Sequence, residues 1–87
     1  MKFHFGQNFL RKYRRLTARQ PQLKRKISKQ LKLLRENPLH PSLRLHKLKG
    51  KEVEGWSVSI DKDLRILFIY VPGGILLVDI GSHKEVY

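Results

Sequence analysis

The hydrophobic periodicity of this chain changes at two dipeptides that end in proline, Asn37-Pro38 and His40-Pro41. Ahead of them, from residue 7 onward, apolar residues recur every three or four positions, which is typical of an amphipathic α-helix. Beyond them, apolar residues alternate with polar ones or form short runs, which is typical of β-strands. Because the residue before a proline avoids the helical region, we expect helical structure to end at Asn37.

The first part is predicted to contain a short strand and two helices. Phe3 and Phe5 alternate with polar residues, which predicts the strand. The first helix begins at Gln7 and ends within residues 17–20, and Pro21 suits the first turn of a second helix. The apolar stripes of the two helices are Phe9, Leu10, Tyr13 and Leu16, and Leu23, Ile27, Leu31 and Leu34. The two helices are expected to form a helical hairpin.

Four extended segments are predicted in the second part. Residues 43–48 favour a strand or extended segment that runs into a turn at Gly50. Residues 56–60 predict a strand with one buried face and one polar face, which carries Ser57 and Ser59. Two apolar runs, residues 64–71 and 75–80, form a central hairpin. The last segment, residues 81–87, leaves the sheet.

The predicted fold class is therefore α+β, with a short N-terminal strand, a helical hairpin and then a curved antiparallel sheet of about four strands. At 87 residues, the chain forms a single domain over residues 1–87. It lacks an apolar run of the roughly 18–20 residues needed to span a bilayer, and its N-terminus lacks a signal-peptide core, so we expect a cytoplasmic protein. Without cysteine, and with four unclustered histidines, no metal site or other cofactor is expected.

Charge is distributed unevenly along the chain. The net charge is +12, but residues 1–51 carry 16 Lys and Arg with one acid, whereas residues 52–87 carry three with six acids. One basic helical face can simply be solvated. An excess of Lys and Arg over the whole of residues 1–51 instead favours nucleic acid or an acidic protein as the partner. The helical residues expected to form a basic binding face are Arg11, Arg14, Arg15, Lys24, Lys26 and Lys29.

Several polar residues in the second part are not explained by strand periodicity. Arg65 lies in an apolar strand, so its guanidinium must reach a polar site or pair with a carboxylate, for which Asp61, Asp63 and Asp79 are available. His46 lies in an acid-free basic segment, where an ordinary solvated side chain is the alternative. His83 follows Gly81-Ser82, a pair that permits a sharp turn, and could equally belong to a polar tail.

Together these residue types suit metal-free cleavage of RNA. That reaction needs a base for the ribose 2′-hydroxyl proton, an acid for the leaving 5′-oxygen, and cations for the charge that develops on the phosphate. Histidine can serve in either proton transfer, and Arg and Lys supply the cations. Trp56 could stack on a base, but it alternates in phase with Val58 and Ile60, which favours a place in the core.

Three segments resemble the RelE/ParE superfamily of type II toxin–antitoxin toxins, most closely its YafQ-like branch. They are LHKLKG (45–50), DLRILFIY (63–70) and DIGSHKEVY (79–87). The resemblance implies a ribosome-dependent mRNA endonuclease in which His46, Asp63 and His83 carry acid–base catalysis. Tyr87 matches the terminal aromatic of that branch.

The sequence departs from the YafQ-like pattern at two positions. A further strand histidine of that branch is replaced, at Ser59, and Arg65 instead matches the strand arginine that the resemblance associates with phosphate stabilisation in RelE-type toxins. We therefore expect His83 as general acid and His46 or Asp63 as general base. The expected phosphate contacts are Arg65, Lys47 and Lys49, with Lys51 and Tyr87 as further RNA contacts.

The resemblance also implies partners and alternatives. The expected partners are the ribosome with its mRNA and a cognate acidic antitoxin, which would form a hetero-oligomer with a chain that is monomeric when free; no membrane partner is expected. The alternatives are a ParE-like inhibitor of DNA gyrase, a non-catalytic basic RNA-binding module, and a degenerate toxin that has lost activity with the missing histidine.

Overall fold

The computed structural model describes residues 1–48, 55–82 and 86. Two helices, a short 3₁₀ turn and five strands follow one another along this part of the chain. Their bounds are β1 Lys2–Phe5, α1 Gln7–Thr17, α2 Pro21–Glu36, the 3₁₀ turn Pro41–Leu43, β2 His46–Leu48, β3 Gly55–Ser59, β4 Leu64–Val71 and β5 Gly74–Ser82. The predicted order of elements, the helical hairpin and the α+β class are confirmed.

The strands form one mixed sheet in the order β1-β5-β4-β3-β2. The last four strands pair with one another in an antiparallel manner, as predicted. The sheet has five strands rather than about four, because β1 pairs with β5, and this pairing is parallel. The helical hairpin that follows β1 carries the chain to the far edge of the sheet, where β2 begins.

Two strand boundaries differ from the prediction. The strand expected from residue 43 begins at His46, because residues 41–43 form a 3₁₀ turn in which Pro41 occupies the first turn and the His40 Nδ1 atom accepts a hydrogen bond from the Ser42 amide at 3.1 Å. Strand β5 extends to Ser82, where it still pairs with Leu64. Gly81 and Ser82 therefore belong to the sheet and do not leave it.

The core lies between the helical hairpin and one face of the sheet. Phe9 of α1 and Ile27 of α2 are buried there against a cluster that includes Val58, Ile66 and Phe68 of β3 and β4. The stripes predicted from helical and strand periodicity therefore do face the core. Among the described residues, neither helix is long and apolar enough to cross a membrane.

Gly74 permits the close approach of β1 to β5. A Cβ atom at this position would overlap the Lys2 carbonyl oxygen and lie 2.8 Å from the Lys2 carbonyl carbon. We expect Gly74→Ala to push β1 away and to cost about 1–3 kcal/mol of unfolding free energy, the range for overpacking. In the parent chain the Lys2 amide donates to the Gly73 carbonyl oxygen. Amide hydrogen exchange should show that this amide loses protection in the variant.

Gly73→Ala is the matched control for this substitution. Gly73 has a φ of +79°, so alanine is strained there, but its Cβ would meet no atom within 4 Å. The control should lower global stability while protection in β1 remains as strong, relative to the other strands, as in the parent chain. Equal loss of β1 protection in both variants would contradict a steric role for Gly74.

Candidate functional site

Two candidate residues of the second part, His46 and Arg65, lie on the sheet face opposite the core. His46 is paired with Ser57, and Arg65 is paired with Ser59. Because paired residues and residues two apart on a strand share a face, all four side chains are on one side of the sheet. Val58 and Ile66, which alternate with them, face the helices.

Arg65 is half-buried and its guanidinium is held in place by two neighbours. Its Nε and Nη2 atoms donate to the Ser57 Oγ at 3.1 and 2.9 Å, and Nη2 also donates to the Arg44 carbonyl oxygen at 2.9 Å. The carboxylate of Asp79 pairs with Lys12 at 2.8 Å, and that of Asp61 accepts from backbone amides. These contacts to a hydroxyl and a carbonyl oxygen fix the orientation of the Arg65 guanidinium.

Ser57 and Ser59 are buried, at 0% and 8% exposure, so the polar face predicted for β3 is covered as well as the apolar one. The Ser57 hydroxyl lies beneath the Arg65 guanidinium, which covers it. The Ser59 Oγ, at the position where the resemblance expects a histidine, donates to the Asp61 carbonyl oxygen at 2.8 Å. These serines support the site, and strand alternation alone could not identify them.

His46 is exposed at the start of β2, directly across from Ser57. Ser57 therefore has the Arg65 guanidinium as a hydrogen-bond partner and His46 as its cross-strand neighbour. The structure brings a titratable ring and a fixed cation to the same part of one sheet face. His46 and Arg65 are the candidate site residues that the described part of the chain brings together.

Asp63 and Lys47 are placed differently from this pair. Asp63 is exposed in the turn before β4, two residues ahead of Arg65 and four ahead of Leu67, which lies in the same cross-strand row as His46. Asp63 is therefore closer along the strand to Arg65 than to His46. The Lys47 ammonium lies on the other face, 5.8 Å from the centre of the Trp56 ring.

Trp56 belongs to the edge of the core, as its periodicity predicts. It packs against the core cluster and contacts the Tyr70 ring edge-on at 6.0 Å. Four predicted site residues lie outside the described residues, and these are Lys49, Lys51, His83 and Tyr87.

The predicted basic face of the helices is exposed throughout. All six side chains are open to solvent, and Arg11 also donates to the Asn8 side-chain oxygen at 2.7 Å. Lys26 and Lys29 border a cleft between α2 and the turn that links β3 to β4. Within residues 1–48, 55–82 and 86, no three His, Asp or Glu side chains gather as a metal-binding group.

Gln30 of α2 connects this helix to the sheet next to the site, and it was not among the site residues predicted from the sequence. Its buried amide donates to the Ser59 carbonyl oxygen at 2.9 Å and more weakly to that of Ser42 at 3.4 Å. We expect Gln30→Leu to leave these carbonyls unpaired and to cost about 1–3 kcal/mol, measured by urea unfolding. Gln22→Leu, at an exposed position of the same helix, should cost far less; equal costs would contradict this role.

Solved bacterial toxins share this fold. YafQ from E. coli superposes with a TM-score of 0.81 at 14% identity over 99% of this chain and 97% of that one. The E. coli DinJ–YafQ toxin–antitoxin complex gives 0.81 and 14% over 99% and 96%, and the YoeB dimer from Staphylococcus aureus gives 0.79 and 19% over 95% and 97%. A search of the curated proteins finds no match.

At these identities the likeness establishes the fold, which is the RelE-like α+β fold of such toxins. The sequence itself matches, over residues 1–87, the family model described as a bacterial toxin of type II toxin–antitoxin systems, YafQ. The chain belongs to the YafQ toxin family.

Proposed function

We propose that this chain is a ribosome-dependent mRNA endonuclease that cleaves through the ribose 2′-hydroxyl without a metal ion. The observation that carries the proposal is the placement of His46 and the anchored Arg65 guanidinium around Ser57 on the sheet face opposite the helices. Membership of a toxin family supports the biological setting.

The proposed reaction is an internal phosphoryl transfer. A base removes the 2′-hydroxyl proton, the 2′-oxygen attacks phosphorus, and the 5′-oxygen leaves with a proton from an acid. The products are a 2′,3′-cyclic phosphate and a 5′-hydroxyl. Arg65 stabilises the negative charge on the non-bridging oxygens, because its planar donors are held in advance by Ser57 and Arg44.

The proton transfers are assigned to histidines. His46 is the proposed general base, with Asp63 as the alternative, because His46 faces Ser57, which holds the Arg65 guanidinium, whereas Asp63 is an exposed turn residue two positions before Arg65. His83 is the proposed general acid. Lys49, Lys51 and Tyr87 are the proposed RNA contacts, and Lys47 is not included because its ammonium lies over Trp56 on the other face.

The exposed basic face is the proposed docking surface for ribosomal RNA. Phosphate contacts by Lys and Arg provide affinity without reading sequence, which suits a protein that acts at one place on every ribosome. The proposed target implies a cytoplasmic site of action. An acidic antitoxin segment that covers the same residues would block docking, and a relative has been solved in complex with its antitoxin.

The test is cleavage of a defined mRNA in a reconstituted translation system, with cut sites mapped by primer extension. We expect cuts when ribosomes translate the message and no cuts in the same mRNA without ribosomes. A gyrase supercoiling assay with the same protein preparation is the comparison. Inhibited supercoiling with intact mRNA would replace the proposal by a ParE-like activity, and no effect in either assay would indicate a binding module or a degenerate toxin.

A further inference from the structure

A cleft of about 430 Å³ lies between α2, the 3₁₀ turn and the turn that joins β3 to β4. This volume is within the range of small-ligand sites, which is about 300–1,000 Å³. Four cationic side chains line it, from three separate parts of the chain: Lys26, Lys29, Arg44 and Lys62. The sequence predicts that the two α2 lysines form part of a helical face, but it does not connect them with Arg44 or Lys62.

The cleft carries an excess of positive charge. Its acidic lining residue is Asp61, whose carboxylate Oδ1 atom accepts from the Asp63 and Leu64 amides, both at 2.9 Å. Within residues 1–48 and 55–82, none of the four cations has a carboxylate within ion-pair distance; the ion pair in this part of the chain joins Lys12 and Asp79. Four cations line this concave cleft, and its one carboxylate already accepts hydrogen bonds from backbone amides. Such an arrangement attracts a multivalent anion.

The walls of the cleft are fixed by hydrogen bonds before any ligand binds. The Gln30 amide joins α2 to Ser59 and Ser42, and the Ser59 hydroxyl closes the following turn onto the Asp61 carbonyl. Arg44 is held at a φ of +46°, with its amide bonded to the Pro41 carbonyl oxygen at 3.2 Å. Binding therefore has to order the tips of the cationic side chains but not the backbone.

Arg44 links the cleft to the candidate cleavage site. Its side chain lines the cleft, and its carbonyl oxygen accepts a hydrogen bond from Arg65 Nη2 at 2.9 Å. Arg44 is thus shared by the lining of the cleft and the contacts of Arg65. Successive phosphates on one RNA strand, or a phosphate of a second strand packed beside it, can occupy two such adjacent sites.

We infer that the cleft binds a phosphodiester group of RNA beside the one that contacts Arg65, an inference that rests on the proposed function for the identity of the polyanion. Lys29 and Lys62 contact it from opposite walls, and Arg44 lies between the two phosphates. The group comes from the strand to be cleaved or from ribosomal RNA, which share this chemistry.

The test compares two double variants of the full chain that lose the same charge. Lys29→Met/Lys62→Met removes cleft cations, and Lys2→Met/Arg35→Met removes exposed cations at the β1 edge of the sheet, far from β2. The first arm measures the fluorescence anisotropy of a short labelled RNA whose 2′-O-methyl groups prevent cleavage. The second arm measures cosedimentation with purified ribosomes, and both arms are repeated over a series of salt concentrations.

We expect the cleft variant to lose roughly five- to tenfold in affinity at low salt, and its salt slope to fall by roughly 0.7 for one lost phosphate contact, with smaller changes in the control. Loss in the short-RNA arm assigns the phosphate to the substrate strand, and loss confined to the ribosome arm assigns it to ribosomal RNA. Equal affinities of the two double variants in both arms would overturn the inference.

These outcomes are separable from those of the proposed function. If wild-type chain cleaves translated mRNA while the cleft variant binds like the control, the inference alone fails. If wild-type chain cleaves nothing but its RNA affinity depends on Lys29 and Lys62, the proposed function fails and the phosphate site remains.

Discussion

Arg65→Met is expected to slow cleavage of translated mRNA by about 10²–10³-fold, the usual cost of removing one donor that stabilises developing negative charge. Methionine keeps most of the length and apolar area of the side chain but none of its donors. The guanidinium is held by the Ser57 hydroxyl and the Arg44 carbonyl, so its orientation is set before RNA binds. The measurement is the single-turnover rate at a mapped cut site in reconstituted translation.

Two further variants separate the chemistry of Arg65 from its charge. Arg65→Lys restores the charge without the planar donors, and we expect it to recover only a small part of the rate. Arg35→Met loses the same charge at a guanidinium that lies over the Phe3 ring, beside the opposite edge of the sheet, and it should cleave at nearly the parent rate. A slow Arg35→Met variant, or a fully active Arg65→Met variant that remains folded, would contradict the proposed role.

Phe68→Ala is expected to remove most of the stability of the domain. Phe68 is fully buried on β4, opposite Trp56 and Leu77, in the cluster that joins the sheet to the helices. Truncation of a buried phenylalanine costs about 3–5 kcal/mol, and small domains have about 5–15 kcal/mol in total. Urea unfolding followed by circular dichroism should show a large drop in the midpoint.

Phe5→Ala is the control for this loss. The Phe5 side chain is 48% exposed, and its ring contacts Phe9 at 6.0 Å between centroids. Because less apolar area leaves water at this position, its truncation should cost roughly 1 kcal/mol. Comparable costs for the two substitutions would mean that the core does not lie where β3, β4 and the helices meet.

Local patterns predicted most elements of the fold, but not how distant parts pair. The helical stripes and Pro21 defined α1 and α2 closely, and the apolar run of residues 64–71 matched β4 in full. The parallel pairing of β1 with β5 joins residues about 70 positions apart and has no local signature. Likewise, the 3₁₀ turn at Pro41–Leu43 is too short to show a period.

The candidate site was predicted in its residue types more than in its geometry. An arginine inside an apolar strand marked Arg65 as a special residue, and alternation placed Ser57 on the polar face of β3, but neither pattern indicated that Ser57 is buried and bonded to Arg65. Adjacent residues of a strand point to opposite faces, so His46 and Lys47 could not both serve one site. This alternation is visible in the sequence itself, although the predicted phosphate contacts included Lys47.

The chemical identity of the new RNA ends tests the central claim most directly. If an internal 2′-oxygen attacks phosphorus with the help of His46 and Arg65, each cut made by the wild-type chain in translating ribosomes leaves a 2′,3′-cyclic phosphate and a 5′-hydroxyl. Mass spectrometry of the cleaved fragments distinguishes these ends from the products of attack by water. We expect the cyclic phosphate; fragments that end in a 3′-hydroxyl, paired with 5′-phosphates, would contradict the account.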